Sequence, residues 1–315
     1  MTKNPSISII VPVLNEEGSL EKFYVESSNS LAAYSNWELI FIDDGSDDES
    51  NNIIRKIADN DSRVSVIQFF KNFGKADALA EGFKQANGDI IITIDADLQD
   101  DPAEIPRLIA KIQEGWDVVS GWKKDRKDPA SKRIPSKLFN LVTRILTGIK
   151  IHDFNCGLKA YRRKVVKSID IYGGLHRYIP AIAGQKGFSI TEIKVNHRPR
   201  EFGETKYGGY RLFHGFFDLF TMLFTGKYFD RPLHFFGSIG LVFIFISTIS
   251  EIYPIYDKIA NGIPFQKHFA LIVFGAMIFG LGLWFFSIGL LGELLIKASG
   301  TSEKKIHSVY SKNQV

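Results

Sequence analysis

Two stretches of this chain, "LHFFGSIGLVFIFISTI" (233–249) and "FALIVFGAMIFGLGLWFFSIGLLG" (269–292), contain no Asp, Glu, Lys or Arg. Each approaches or exceeds the roughly 20 residues a helix needs to cross a hydrocarbon core. Up to about Arg211 the chain reads as an ordinary globular domain, and nothing in it could cover two such helices. A membrane hairpin at about 232–252 and 268–292 is therefore expected. Lys206, Arg211, Lys227 and Arg231 precede the first stretch and Lys297, Lys304, Lys305 and Lys312 follow the second, while the connection from Glu251 to Lys267 is nearly balanced. By the positive-inside rule both ends of the hairpin are cytosolic. No secretory leader precedes the strand-like "ISIIVPV", so the N-terminal domain is expected in the cytosol, on a multi-pass protein of the inner (plasma) membrane. The single cysteine, Cys156, excludes an intrachain disulfide and fits a reducing compartment.

The first domain alternates strands and helices. "SISIIVPV" (6–13), "WELIFIDD" (37–44), "VSVIQFF" (64–70) and "DIIITIDAD" (89–97) read as strands, with helices expected over 16–33, 48–59 and 75–86, the last stopped by Gly88. Such alternation implies a mostly parallel sheet covered on both faces. Ligands of such sheets gather at the carboxyl ends of the strands. Here those ends carry Asn15 and Glu16, then Asp43 and Asp44, then Asp95 and Asp97.

Carboxylates crowded at one edge repel one another unless a cation joins them. An Asp-x-Asp segment can direct oxygen ligands at a hard divalent ion, and Mg²⁺ in particular shares protein carboxylates with substrate phosphates. Asp100 and Asp101, just before Pro102, suit a helix N-terminus and are expected to cap it.

"SIIVPVLNEE", "FIDDGSDDES", "KNFGKADAL" and "IDADLQDDP", in that order and spacing, resemble the family 2 glycosyltransferases of GT-A fold, nearest the polyprenyl-phosphate group of dolichol-phosphate mannose synthase and bactoprenol glucosyltransferase. The resemblance covers residues 6 to about 230 and implies a Rossmann-like, mostly parallel α/β domain. It also implies sugar transfer from a nucleotide sugar to a lipid phosphate. Pro12, Asn15 and Glu16 match the loop lining the nucleoside; Asp43 and Asp44 match the pair of which one accepts a hydrogen bond from the base. Lys71 stands where relatives often carry Arg, offering charge without the planar fork. Asp95 matches the acid near the nucleotide, and Asp97 with Gln99 the ligands of Mg²⁺ or Mn²⁺.

The acceptor half follows. "KKDRKDPASKRIPSK" (123–137) is dense in Lys and Arg. Beside a bilayer such a segment meets anionic headgroups, each basic residue contributing about 1 kcal/mol, so a membrane rather than nucleic acid is the expected partner. In the resemblance Lys132 and Ser136, with Arg133 alongside, face the lipid phosphate, and "REFGETK" places Arg200, Thr205 and Lys206 there too. "IHDFNCGLKAYRR" (151–163) looks like the acidic motif approaching the sugar, with Asp153 as its catalytic candidate. Cys156 reads as a small buried residue, and His152, His176 and His197 lack zinc spacing.

The expected organisation is a cytosolic glycosyltransferase domain at 1–205, interfacial amphipathic helices at 206–231, the two spans within 232–297 and a basic tail at 298–315. The expected reaction is inverting transfer of glucose from UDP-glucose to undecaprenyl phosphate, giving a lipid-linked monosaccharide for the cell envelope. GDP-mannose, UDP-GlcNAc or a UDP-aminoarabinose derivative is the alternative donor. A nucleotidyltransferase would need a glycine-rich loop after the first strand, where "PVLNEEGSL" stands; a membrane scaffold would leave the ordered carboxylates without a purpose. Small residues in "GLGLWFFSIGLLG" would let helices of two copies approach, making a homo-oligomer the further expectation.

Overall fold

The computed structural model describes residues 4–124, 130–199, 211–224 and 231–299, with 130–135, 211–216 and 299 as backbone alone. Residues 1–223 and 224–315 form two compact units.

The first unit is built on a seven-stranded sheet: β1 (Ile7–Val13), β2 (Trp37–Asp43), β3 (Val64–Gln68), β4 (Ile90–Thr93), β5 (Val118–Trp122), β6 (Lys159–Arg162) and β7 (Ile190–Lys194), in the order β3-β2-β1-β4-β6-β5-β7. β6 runs antiparallel to both of its neighbours, and every other pairing is parallel. Central strands of such a sheet are buried on both faces, which is why "ISIIVPV" and "WELIFID" are nearly continuous apolar runs. Ile9 and Val11 join Leu20, Phe23, Phe41 and Leu108 on one face, under α1 (Leu20–Ser30), α2 (Ser50–Asn60) and α4 (Ile105–Gln113). Ile10, Ile40 and Ile42 turn the other way, onto Leu79 and Phe83 of α3 (Lys75–Gln85). Burial of Ile105, Leu108, Ile109 and Ile112 follows the i, i+3, i+4, i+7 stripe that makes α4 a helix.

Gly88 does not stop α3, which ends at Gln85. A Cβ on Gly88 would lie 2.5 Å from the Ser8 nitrogen, so this glycine permits the close approach of the chain entering β4 to β1. After β5 come α5 (Ala130–Thr147), then β6, the short α6 (Arg163–Val166), a 3₁₀ turn at Leu175–Tyr178, α7 (Ile179–Gln185), β7 and α8 (Arg211–Leu223).

The second unit contains α9 (Pro232–Asn261) and α10 (Phe269–Ser299), packed on each other. The apolar windows of the two candidate spans are only 17% and 11% buried, unlike core helices of a soluble protein. Leu241, Phe245, Ile249, Phe274, Met277, Trp284 and Leu295 all face outward. Such an apolar surface suits hydrocarbon rather than water. Several glycines lie between the two helices: a Cβ on Gly240 would come 2.6 Å from the Gly282 carbonyl, and one on Gly282 2.8 Å from the Gly240 carbonyl. Ser247 donates to the Gly275 carbonyl across the same seam at 2.8 Å. The small residues from which an oligomer was expected thus include several that close the hairpin within one chain, although Gly280 faces open space.

A reporter fused after Val315 is expected on the cytosolic side and a tag inserted near Asn261 outside. Labelling of the Asn261 tag from the cytosolic side alone would overturn the hairpin topology.

Candidate active site

The topology brings distant segments to one edge. β1, β2 and β4 are parallel, so the turns after Val13, Asp43 and Thr93 leave the sheet together. The chain reverses its strand order between β1 and β4, where a crevice opens beyond the strand ends. Because β6 is antiparallel, its start lies at that same edge: Lys159 pairs with Thr93 of β4 and Ser120 of β5. The approach to β6, residues 151–158, therefore meets the Asp-x-Asp segment. β5 and β7 end there as well, with Lys194 opposite Trp122.

Two of the turns are stitched into one wall. The backbone N–H of Asn15 donates to the Ser46 hydroxyl at 3.0 Å, and its side chain exchanges hydrogen bonds with Asp47. Glu16 donates its backbone N–H to the Ser50 hydroxyl at 2.8 Å. Pro12 sits half-buried near the end of β1. Asp43, fully buried, accepts from the Ser46 N–H at 2.9 Å and the Asn51 amide at 2.7 Å. Asp44 accepts from the N–H groups of Phe73 at 2.7 Å and Gly74 at 2.9 Å, fixing the loop before α3. Burial pushes the Asp44 carboxyl up despite those two donors. Lys71 is exposed, its ammonium 5.3 Å from the Phe73 ring centroid.

The cation that meets the acidic cluster is, in the first place, lysine. Lys75, at the start of α3, forms an ion pair with Asp95. Asp95 is densely surrounded yet keeps 33% of its side chain exposed, as an acid deep in an open cleft does. Burial works to raise its carboxyl, but Lys75, helped by Lys123 and Lys159, holds it at about 2. Lys123 pairs with buried Asp100 at 2.8 Å, and that carboxylate raises the lysine against the opposing effect of burial. Lys159 donates to the Cys156 carbonyl and is lowered chiefly by its own burial. The Cys156 thiol, pushed up to about 12 by burial and then by Asp100, is inert as a nucleophile.

Asp97 is buried and accepts the Gln99 N–H at 3.2 Å. Between them Leu98 holds φ at 59°, a left-handed conformation rare for a bulky residue, and Asn15 across the edge has φ 51°. Backbone strain of this kind gathers at functional sites. Asp97 and Gln99 offer one carboxylate and one carboxamide, and no group of three or more His, Cys, Asp or Glu suited to a metal occurs among the described residues. This hard-oxygen pair fits Mg²⁺ or Mn²⁺ whose remaining ligands are diphosphate oxygens and water.

Of the two acids expected to cap the next turn, Asp101 does so, accepting the Ala103 N–H at 3.0 Å, whereas Asp100 turns inward to Lys123. The segment after β7 clamps this stretch. Asp100 bridges His197, Arg198 donates its N–H to the Gln99 carbonyl at 2.9 Å, and the Arg198 guanidinium binds both Asp101 and Glu26 at 2.6 Å. Asp153 is buried; one carboxylate oxygen accepts the Asn155 N–H at 3.0 Å and its carbonyl accepts from Ser120 at 3.3 Å. Ser136 lies half-buried on α5. The side chains of Lys132 and Arg133, and Arg200, Thr205 and Lys206 entirely, lie outside the described residues.

Sequence reading missed Lys75, Lys123, Lys159 and Arg198. Lys75 stands inside "KNFGKADAL", but only its ion pair with Asp95, 20 residues away, separates it from exposed Lys71. Lys75→Met is expected to lower stability by about 1–3 kcal/mol at neutral pH, less than for a fully buried pair because water still reaches Asp95. Asp95 titrates lower in wild type than in the variant. The gap is therefore full above the variant's Asp95 pKa and closes as pH falls toward about 2. Melting temperatures from pH 7 to pH 3 check this; a gap independent of pH would assign Lys75 to packing alone.

A mostly parallel sheet with an Asp-x-Asp segment at its switch point is the arrangement of the GT-A fold. The chain belongs to glycosyl transferase family 2, which its residues 8–170 match. It is 34% identical over 297 residues to the dodecaprenyl-phosphate galacturonate synthase of Rhizobium johnstonii, covering 92% of this chain and 88% of that one. It is 37% identical over 294 residues to the undecaprenyl-phosphate 4-deoxy-4-formamido-L-arabinose transferase of Shewanella sediminis, covering 92% and 86%. The glucosyl-3-phosphoglycerate synthase of Mycobacterium tuberculosis, solved with Mn²⁺, UDP and phosphoglyceric acid, shares the fold with a TM-score of 0.56 at 21% identity, over 70% of this chain and 78% of that one.

Proposed function

We propose that this glycosyltransferase moves a sugar, with inversion, from a nucleotide sugar to polyprenyl phosphate at the cytosolic face of the inner membrane. The observation that carries the reading is the Asp-x-Asp segment at the crevice where the strand order reverses, with Asp95 paired to Lys75 and packed against Gly157 of the segment that carries Asp153. Relatives similar over nine-tenths of the chain are named for dodecaprenyl and undecaprenyl phosphate, which supplies the acceptor class.

In this reading Pro12, Asn15, Glu16, Asp43, Asp44 and Lys71 line the nucleoside side of the crevice and Asp95 approaches the nucleotide. Asp97 and Gln99 would hold Mg²⁺ or Mn²⁺, whose positive charge would stabilise the diphosphate as it departs. Lys75 keeps Asp95 ionised and fixed. Lys132, Arg133, Ser136, Arg200, Thr205 and Lys206 receive the acceptor phosphate, and an Arg among them can make two charge-assisted hydrogen bonds to it. The phosphate oxygen then attacks the anomeric carbon from the face opposite the leaving diphosphate.

The membrane supplies the acceptor. In the 206–231 segment, α8 buries Leu219 and Met222 and exposes Phe217 and Phe220, the pattern of a helix lying in the interface. Leu138, Leu141 and Ile145 of α5 are exposed in the same manner.

For the sugar, glucose from UDP-glucose is the reading drawn from the resemblance. The relatives' names place galacturonate and 4-deoxy-4-formamido-L-arabinose beside it, and the choice rests on few side chains. Membranes containing the protein, supplied with undecaprenyl phosphate and a panel of labelled nucleotide sugars, are expected to form one labelled lipid. Its formation with a donor other than UDP-glucose would replace glucose and keep the reaction; no labelled lipid with any donor would overturn the proposal.

A further inference from the structure

Arg177 lies in the 3₁₀ turn Leu175–Tyr178. Its Nε is buried, and its guanidinium makes no hydrogen bond or ion pair among the described residues. Other arginines of the domain are anchored. Arg162 donates to the Trp116 and Ile112 carbonyls, Arg163 to those of Gly88 and Asn87, and Arg198 to two carboxylates. A guanidinium drawn partly out of water and left without an acceptor is costly, and such a group in a folded protein calls for a ligand that completes it.

The neighbourhood says which ligand. The turn packs against α3, whose first residue is Lys75, and against α8. Tyr178 packs its ring on Phe139 of α5, 5.6 Å between centroids, three residues beyond Ser136. A Cβ on Gly174 would collide with the Asp218 carboxylate of α8, so turn and helix are in close contact. His176, the preceding side chain, has a buried and unpartnered Nδ1. Burial first, then Lys75, Arg177 and Lys159, drives this imidazole down to about 2, so it is neutral beside the cations and supplies no counter-charge. Arg177 thus belongs to a turn set between α3, which begins at Lys75, the middle of α5 at Phe139, and α8. An anionic group brought to that turn would complete the Arg177 guanidinium.

We propose that Arg177 is a further ligand of the acceptor phosphate, gripping the phosphate monoester of the polyprenyl chain with its planar fork. The assignment rests on the proposed acceptor class. The same guanidinium chemistry would suit the donor's diphosphate, so the test separates the two.

Full-length protein in detergent is titrated with undecaprenyl phosphate, with undecaprenol as the control lacking phosphate, and with UDP. Affinity is read from the shift in melting temperature, for wild type, Arg177→Gln and Arg177→Lys. Arg177→Gln is expected to weaken undecaprenyl phosphate binding roughly 10- to 100-fold, as loss of one charged phosphate contact does, and to leave UDP binding and the ligand-free melting temperature near wild type. Arg177→Lys is expected to recover part of the loss, having charge without the fork. Undecaprenyl phosphate binding equal in wild type and Arg177→Gln would overturn the assignment, as would a loss confined to UDP or one shared equally by both ligands. Wild type that binds undecaprenyl phosphate no better than undecaprenol would remove the acceptor class itself, and this assignment with it.

Discussion

Asp97→Asn is expected to lower kcat by roughly 100- to 1,000-fold, the usual effect of removing one preorganised electrostatic group from a transition state. It is also expected to raise the concentration of Mg²⁺ or Mn²⁺ needed for half-maximal rate. The substitution preserves shape, and the oxygen that accepts the Gln99 N–H at 3.2 Å has a counterpart in the carboxamide, so the turn around Leu98 should survive. What disappears is one negative charge at a buried position of the edge, where a hard ion has only oxygen ligands to draw on. Asp95 cannot replace it, because Lys75 already occupies one of its oxygens. A divalent-ion titration of the rate, alongside a melting curve to confirm folding, measures both effects. Normal turnover of the Asn variant at limiting Mg²⁺ would end the metal assignment.

The same residues show how far sequence reasoning reached. "ISIIVPV" and "WELIFID" announce strands of a parallel sheet because both faces must be apolar, and the polar turns after them mark the ligand edge. The short β6, "KAYR", gives no such signal. Its antiparallel direction, set by pairing with β4 and β5, is what carries Lys159 and the 151–158 segment to that edge. The like charges of "DADLQDD" raised the need for a cation, and local reading supplied only a metal. Lys75 and Lys123 answer most of that need across 20 and 23 positions of sequence, which no periodicity encodes. Asp100 and Asp101 are indistinguishable as a dipeptide. Lys123 and the chain at 196–198 separate a buried ion-pair partner from a cap. Small residues in the apolar helices likewise promise a close helix contact without saying whose helix; here Gly240 and Gly282 use it within one chain.

Asp153→Asn tests whether a carboxylate has a proton to remove. In transferases whose acceptor is a hydroxyl, a general base contributes roughly 100- to 10,000-fold. A phosphate monoester, with its second pKa near ~6, is mostly dianionic at neutral pH and brings little proton to the reaction. The geometry favours positioning as well. Asp153 is buried, one of its oxygens accepts the Asn155 N–H two residues on, and its charge favours the ammonium of buried Lys159 against desolvation. A group held from both sides in this way sets the placement of the 151–158 segment, which in the proposed reading approaches the sugar. Misplacement by about 1 Å costs on the order of 100-fold, and that is the deficit expected of Asp153→Asn. Because no proton transfer is lost, the ratio of wild-type to variant kcat should stay constant between pH 6 and pH 8. A deficit that shrinks steadily across that range would identify Asp153 as the acceptor of the proton carried by a monoanionic phosphate, and a wild-type rate throughout would remove it from the site.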